Sequence, residues 1–92
     1  MANEREIPIK IPEEVLRGAY ANQMVVRHSR EEFVLDFINV VPPEGVVNAR
    51  VIVSPGHLKR MIAALGENLA RYEQRYGAVT NAEAPPDPRF QN

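Results

Sequence analysis

Residues 33–77 read FVLDFINVVPPEGVVNARVIVSPGHLKRMIAALGENLARYEQRYG, and this stretch decides the fold. Its first half holds two runs rich in β-branched residues, 33–41 and 46–53, which is the composition of β-strands. The proline- and glycine-containing segment 42–45 between them is typical of a loop. Because consecutive strands joined by a short loop pair in antiparallel fashion, these residues predict a β-hairpin.

The second half of this stretch predicts one long helix. Ser54 is a favoured N-cap residue, Pro55 suits the first helical position, and Gly77 suits the residue that follows the last turn. Between them, large apolar residues recur at alternating spacings of four and three, which places them on one face of a helix. We call this set the helix seam: Leu58, Ile62, Leu65, Leu69, Tyr72 and Tyr76. We expect it to pack on the sheet, because a small sheet needs a cover on one face, although the same spacing suits a coiled coil.

Residues upstream of the hairpin complete the expected fold. Residues 16–28 predict a further strand, joined to 33–41 by a turn at 29–32, so that Val26 faces Leu35 and Leu35 faces Val53. The fold class is therefore α+β, a three-stranded antiparallel meander followed by one long C-terminal helix. The domain is expected to span 16–77, between an N-terminal arm at 1–15 and a flexible, proline-containing tail at 78–92. If the arm forms a strand, its prolines confine that strand to a sheet edge.

Composition excludes several classes of protein. With 92 residues the chain holds one domain, and its net charge of -1 argues against a nonspecific nucleic-acid binder. The absence of cysteine excludes a disulfide framework and a thiolate zinc site. No apolar run is long enough to cross a membrane, and the charged N-terminal sequence does not resemble a signal peptide. We expect a cytoplasmic domain that binds no cofactor and no membrane.

One face of the predicted sheet is a candidate homodimer interface. It carries more β-branched side chains than a face left in water should carry, and exposed apolar patches on small proteins usually mark interaction surfaces. Asp36 lies among them and needs a partner, for which Arg27 and Arg50 are the nearest cations. The residues proposed for this interface are Val34, Asp36, Ile38, Arg50 and Ile52.

Other polar residues give weaker indications of chemistry. Four basic residues of the helix are candidate contacts for nucleic acid or another anion: Lys59, Arg60, Arg71 and Arg75. The two histidines, His28 and His57, lack the spacing of a metal site, and Ser54 has no neighbouring base to activate it. The sequence therefore predicts no catalytic residue and no metal ligand.

The order of several short motifs resembles that of a small bacterial and archaeal family of unknown function. The motifs are Tyr20-Ala21-Asn22, Glu32-Phe33-x-Leu35-Asp36-Phe37, Ala49-Arg50-Val51, Ser54-Pro55-x-His57-x-Lys59-Arg60, Asn68-Leu69, Tyr72-Glu73 and Gly77. The resemblance covers residues 20–77. It implies a stand-alone cytosolic domain and transfers no catalytic residue.

Together these patterns favour a non-enzymatic, homo-oligomeric binding or scaffold module, with a homodimer as the expected assembly. A protein partner would fit the same interpretation. The alternative is a binder of nucleic acid or of a phosphate ligand, which would use the basic side of the C-terminal helix.

Overall fold

The computed structural model describes residues 6–86 and confirms the expected α+β fold. A helix of four residues, α1 (Glu13–Leu16), precedes three strands, β1 (Gln23–His28), β2 (Phe33–Val41) and β3 (Glu44–Val53). A long helix, α2 (Pro55–Tyr76), follows them. The sheet is an antiparallel meander in the order β1-β2-β3, so β2 is its central strand.

The segments that flank these elements differ in part from the prediction. Residues 6–12 lie in no helix or strand, and β1 is shorter than expected because α1 and a link through 17–22 occupy the residues before it. Gly18, with a left-handed φ of 75°, follows α1, where residues other than glycine are strained. Residues 78–86 also lie outside every helix and strand, and the rest of the predicted arm and tail, 1–5 and 87–92, lies outside the described residues.

The pairing of β1 with β2 is as predicted, but that of β2 with β3 is shifted. Val26 lies opposite Leu35, whereas Leu35 lies opposite Val51 instead of Val53. The cause is the second turn, since only Pro42 and Pro43 separate the strands and β3 begins at Glu44. A shift of two residues leaves each side chain on the same face, so the predicted faces persist in this half of the hairpin.

A bulge interrupts the second hairpin near its middle. Phe37 pairs with Ala49, but Ile38 pairs with Val47, so Asn48 is an extra residue on β3. An extra residue disturbs the alternation of side chains locally and increases the twist of the strand. The residues of β3 on the turn side of Asn48 therefore follow a register that no apolar pattern predicts.

Both ends of α2 are capped as the sequence predicts. The hydroxyl of Ser54 accepts a hydrogen bond of 3.1 Å from the backbone N–H of His57, and Pro55 occupies the first turn. At the other end Gly77 adopts a positive φ of 99°, and its N–H donates to the carbonyl of Glu73 at 2.8 Å. These caps fix the two ends of the helix within one residue of the predicted positions.

The expectation that α2 covers the sheet is wrong. Apart from the pairings of β1 with β2 and of β2 with β3, contacts between elements are marginal, and no residue of α2 is buried. Five of the six seam residues are 50–68% exposed: Ile62, Leu65, Leu69, Tyr72 and Tyr76. The sequence does not distinguish the two cases, because a helix that packs on its own sheet and a helix that packs on another chain have the same apolar period.

The chain is accordingly more open than a compact monomer of its size. Its accessible surface is 8745 Å², against about 5,400 Å² expected for a folded monomer of its mass. The radius of gyration is 16.7 Å, against about 12 Å for a compact domain of this length. The exposed residues of the helix seam contribute to this excess.

Candidate functional site

A buried ion cluster lies at the centre of the sheet. The carboxylate of Asp36 on β2 is 0% exposed and accepts two hydrogen bonds from Arg50 of β3, Nε to Oδ1 at 2.6 Å and Nη2 to Oδ2 at 2.9 Å. Arg27 of β1 donates from Nη2 to Oδ2 at 3.2 Å. Arg50 lies directly opposite Asp36 rather than diagonal to it as predicted, while Arg27 is a diagonal neighbour. One side chain therefore links all three strands.

The two arginines hold the carboxylate in its ionised form. The hydrogen bonds from Arg50, helped by the positive charges of Arg50 and Arg27, lower the pKa of Asp36 below its ordinary value of 3.8, although burial acts in the opposite direction. The same pair raises the pKa of Arg50. A carboxylate whose two oxygens both accept charge-assisted hydrogen bonds is a poor proton acceptor, so the cluster suits cross-linking of the strands better than acid–base chemistry.

The structure brings the five residues of the predicted sheet interface to one face. Val34, Asp36 and Ile38 alternate along β2, with Arg50 and Ile52 opposite the first two of them. Asp36 and Ile38 are already buried within the single chain, Ile38 to 2% exposure, whereas Ile52 remains 56% exposed. A second copy could contact mainly the exposed edge of this face, where Ile52 lies. The role of the face as an interface stays a prediction.

Two asparagines hold the chain against the sheet: Asn48, and Asn22 of the Tyr20-Ala21-Asn22 motif. The side-chain amide of Asn22 donates to the carbonyl of Val40 at 3.0 Å and accepts from its N–H at 2.8 Å, as a strand backbone would. The amide of Asn48, at the bulge, donates to the carbonyl of Tyr20 at 2.6 Å. Because Tyr20 reaches β3 while Asn22 binds β2, residues 20–22 lie across the Val40 end of the central strand.

A compositional signal for these two asparagines is present in the sequence. Asparagine is depleted in strands, yet Asn22 and Asn48 each stand within or beside an apolar run of strand residues. Such a residue either marks an irregularity in the strand or pairs with a backbone group. Asn48 marks the bulge and also pairs with the carbonyl of Tyr20, whereas Asn22 pairs with the backbone of Val40.

Five of the six residues of the helix seam are exposed on α2. The seam runs the length of the helix, and its last two members, Tyr72 and Tyr76, pack on each other with ring centroids 4.9 Å apart. The guanidinium of Arg75 lies 5.4 Å from the ring of Tyr76. Exposed apolar side chains in one continuous row are typical of a surface that a partner covers.

The four basic residues proposed for anion contact lie in pairs near the two ends of α2. Arg71 donates to Glu67 at 2.6 Å, and Arg75 stacks on Tyr76. The side chains of Lys59 and Arg60 have no hydrogen-bond or ion-pair partner among residues 6–86. The four side chains therefore do not converge on one point, and their role in anion binding stays a prediction.

The histidines have other neighbours. The ring of His28 packs on Phe33 with centroids 5.2 Å apart, and His57 contributes its backbone N–H to the helix cap. In the described part of the chain, no three side chains of His, Cys, Asp or Glu come together as a metal site would need. None of the helices within 6–86 has the length and apolar character needed to span a membrane.

Comparison with known proteins gives one match. No curated protein and no solved structure matches the chain. A family model described as a protein of unknown function, DUF3467, matches residues 1–81. This match covers most of the chain and includes every motif on which the resemblance was based. The chain belongs to the DUF3467 family, whose function is unknown.

Proposed function

We propose that the chain is a non-catalytic, homo-oligomeric scaffold module, and that it assembles as a dimer through the helix seam of α2. The observation that carries this proposal is the exposure of the seam on a helix that makes only marginal contacts with the other helices and strands among residues 6–86. The sheet, held together by the Asp36 cluster, is then left to bind a protein partner.

The stability of an isolated helix supports an assembly. Most of the stability of a helix in a protein comes from packing of its apolar face, because nucleation is costly and propensity alone contributes little. In α2 the N-cap at Ser54 contributes about 1 kcal/mol, and the exposed Arg71–Glu67 pair contributes about 0.2–0.5 kcal/mol. Burial of a large apolar side chain contributes roughly 1.5–3 kcal/mol, so covering the seam would stabilise α2 more than its N-cap and its ion pair do.

The excess surface supports the same conclusion. A standard interface covers about 800 Å² on each partner, and the chain exposes about 3,300 Å² more than a compact monomer of its mass. This excess is several times the area that one partner contributes to a standard interface, which supports a stable dimer.

Two variants with the same new charge test the proposal. Leu65→Asp places a carboxylate in the middle of the seam, and Gln74→Asp places one on the side of α2 away from the seam. Size-exclusion chromatography with light scattering should show a dimer for the wild type and for Gln74→Asp. It should show a monomer for Leu65→Asp. A dimer in all three proteins would place the interface elsewhere, with the sheet face around Ile52 as the first alternative.

The nucleic-acid alternative makes a different prediction. Binding through Lys59, Arg60, Arg71 and Arg75 would weaken steeply with salt, because phosphate contacts release counterions. Filter binding of the full chain to duplex and single-stranded oligonucleotides across a range of salt concentrations tests it. We expect no salt-sensitive binding in the micromolar range, and such binding would favour the alternative.

A further inference from the structure

We infer that the second copy lies antiparallel on α2, with Lys59 of each chain against Glu73 of the other. This inference rests on the proposed function, since it specifies how two seams meet. It follows from three features of α2: the order of residues along the seam, the charges that flank it, and the position of its glycine.

The order of residues along the seam suits an antiparallel pair. The two helices are aligned so that their midpoints lie at the level of Glu67 along the axis. The facing pairs between the two copies are then Leu58 with Tyr76, Ile62 with Tyr72, and Leu65 with Leu69. Every tyrosine then meets an aliphatic side chain, and the layers have similar volumes. In a parallel pair each residue meets its own copy, so two successive layers at one end hold tyrosine pairs. Layers of similar side-chain volume pack with fewer voids and clashes than layers that differ in volume.

The flanking charges distinguish the two directions more sharply. Lys59 follows Leu58 and Glu73 follows Tyr72, so both lie on the same flank of the seam. In an antiparallel pair like flanks face each other, and Lys59 meets Glu73 of the second copy at both ends of the interface. In a parallel pair opposite flanks meet, Glu73 faces Asn68, and Lys59 faces no residue of the other helix. Only the antiparallel pair joins opposite charges.

Both charged side chains are placed for such a contact. The side chain of Lys59 has no ion-pair or hydrogen-bond partner in the part of its own chain that the structure describes. Glu73 accepts the N–H of Val79 on Oε2 at 2.8 Å, which steadies the carboxylate and leaves Oε1 for a second donor. The Arg71–Glu67 pair does not compete, since it involves neither residue.

Gly66 lies on the same flank, one residue after Leu65 and midway between Lys59 and Glu73. In the antiparallel pair it faces Gly66 of the second copy. Among residues 6–86, no atom beyond its own helix lies within 4 Å of the position that a Cβ would occupy there, so packing within this part of the chain does not require the glycine. Two glycines at the crossing let the helix axes approach closely, since interaxial distance depends on the side chains at the contact.

The direction of the helices decides how the sheets are presented. Because β3 leads directly into α2, an antiparallel pair places the two sheets at opposite ends of the helices. The two Pro55 residues would then lie roughly 35 Å apart along the axis. The dimer would be a two-ended module able to hold two partner molecules apart, whereas a parallel pair would place both sheets side by side.

Distance measurements between spin labels test the direction, and the absence of cysteine makes single labels simple to introduce. Arg60 and Gln74 lie off the seam, seven residues on either side of Glu67. Labels are attached to R60C and Q74C, and distances are measured in each homodimer and in a mixture of the two proteins. We expect long distances in both homodimers, from an axial offset of about 21 Å, and a shorter one in the mixed dimer.

The reverse pattern, short in the homodimers and long in the mixture, overturns the antiparallel arrangement but leaves dimerisation through the seam intact. An absence of dipolar coupling in every sample, together with a monomeric mass, overturns both the arrangement and the proposed function. The two failures are therefore distinguishable.

Exchange of charges tests the Lys59–Glu73 contact itself. Lys59→Glu and Glu73→Lys should each weaken dimerisation about tenfold, because each creates two repulsive pairs, and the double variant should restore it to within about threefold. Gln74→Lys is the control for added charge and should change the dissociation constant less than about twofold. If the double variant is as weak as the two single variants, the contact is absent.

Discussion

Asp36 and Arg50 lie directly opposite each other on adjacent strands, and Arg50 holds both oxygens of the Asp36 carboxylate in a two-point hydrogen bond. A fixed guanidinium fork is the geometry that lysine cannot reproduce. The carboxylate is buried between two arginines whose side chains are about half exposed to solvent. It ties the central strand to both of its neighbours.

Replacing the buried carboxylate should destabilise the sheet strongly. Asp36→Asn keeps the shape of the side chain but removes the buried negative charge that Arg27 and Arg50 both contact. The matched control is Glu67→Gln, which removes the same charge from an exposed pair on α2. We expect the loss of melting temperature for Asp36→Asn, measured by circular dichroism, to be several times that for Glu67→Gln. Equal losses would show that the cluster contributes little.

The pKa of Asp36 predicts the acid sensitivity of the fold. Because its pKa is lower in the folded chain than the ordinary value of 3.8, the unfolded chain binds more protons between these two values. The stability due to Asp36 is therefore complete above about pH 5 and declines as the pH falls through about 4 toward the folded pKa. Urea unfolding between about pH 2 and 6 should show this decline, and Asp36→Asn should show a shallower one. Identical slopes would contradict the assignment.

Asn22 should be needed to hold the chain against β2. Asn22→Ala leaves the N–H and the carbonyl of Val40 without their partner, which costs about 1–3 kcal/mol. Asn81→Ala, in an exposed part of the tail, should cost less than about 0.5 kcal/mol. Amide hydrogen exchange gives a local test, since the Val40 amide should exchange faster in Asn22→Ala. Unchanged exchange at Val40 would mean that this hydrogen bond is dispensable.

Stability should depend on protein concentration. An association that only the folded chain makes raises the melting temperature by mass action. The melting temperature of the wild type should therefore rise with concentration, and Leu65→Ala, which removes part of the seam, should lower it by weakening the association. A melting temperature that is independent of concentration in both proteins would indicate that folding and assembly are not coupled.

Removal of residues 80–92 should leave the fold intact. The truncation keeps the Val79 N–H that binds Glu73, and residues 80–84 and Pro86 are exposed while Pro85 is half-buried. We expect the free energy of unfolding, from urea titration, to change by less than about 0.5 kcal/mol. A larger loss would show that the tail takes part in the assembly.

The three strands, the long helix and its caps were predictable because local chemistry decides them, whereas α1 and the late start of β1 were not. Ser54, Pro55 and Gly77 act within one turn of the helix, and the turn at 29–32 sets the register of β1 on β2. The second register was not predictable, since it depends on how tightly the chain turns at Pro42 and on the bulge at Asn48, and neither follows from an apolar pattern.

The candidate site was predictable in its composition but not in its use. The pairing of Asp36 with Arg27 and Arg50 follows from charge and proximity within the sheet. Which surface packs on the helix seam could not be predicted in this way, because Leu65 has the same sequence environment whether it packs on its own sheet or on another chain. Burial of Ile38 within one chain is likewise a three-dimensional fact, because it depends on both neighbouring strands and on the chain that crosses them.

Sedimentation equilibrium of the wild-type chain tests the central claim most directly. The chain has a mass of 10.4 kDa, and a dimer formed through the helix seam should sediment with twice that mass at micromolar concentrations. A mass of 10.4 kDa that persists up to millimolar concentrations would contradict it, since the seam would then stay uncovered.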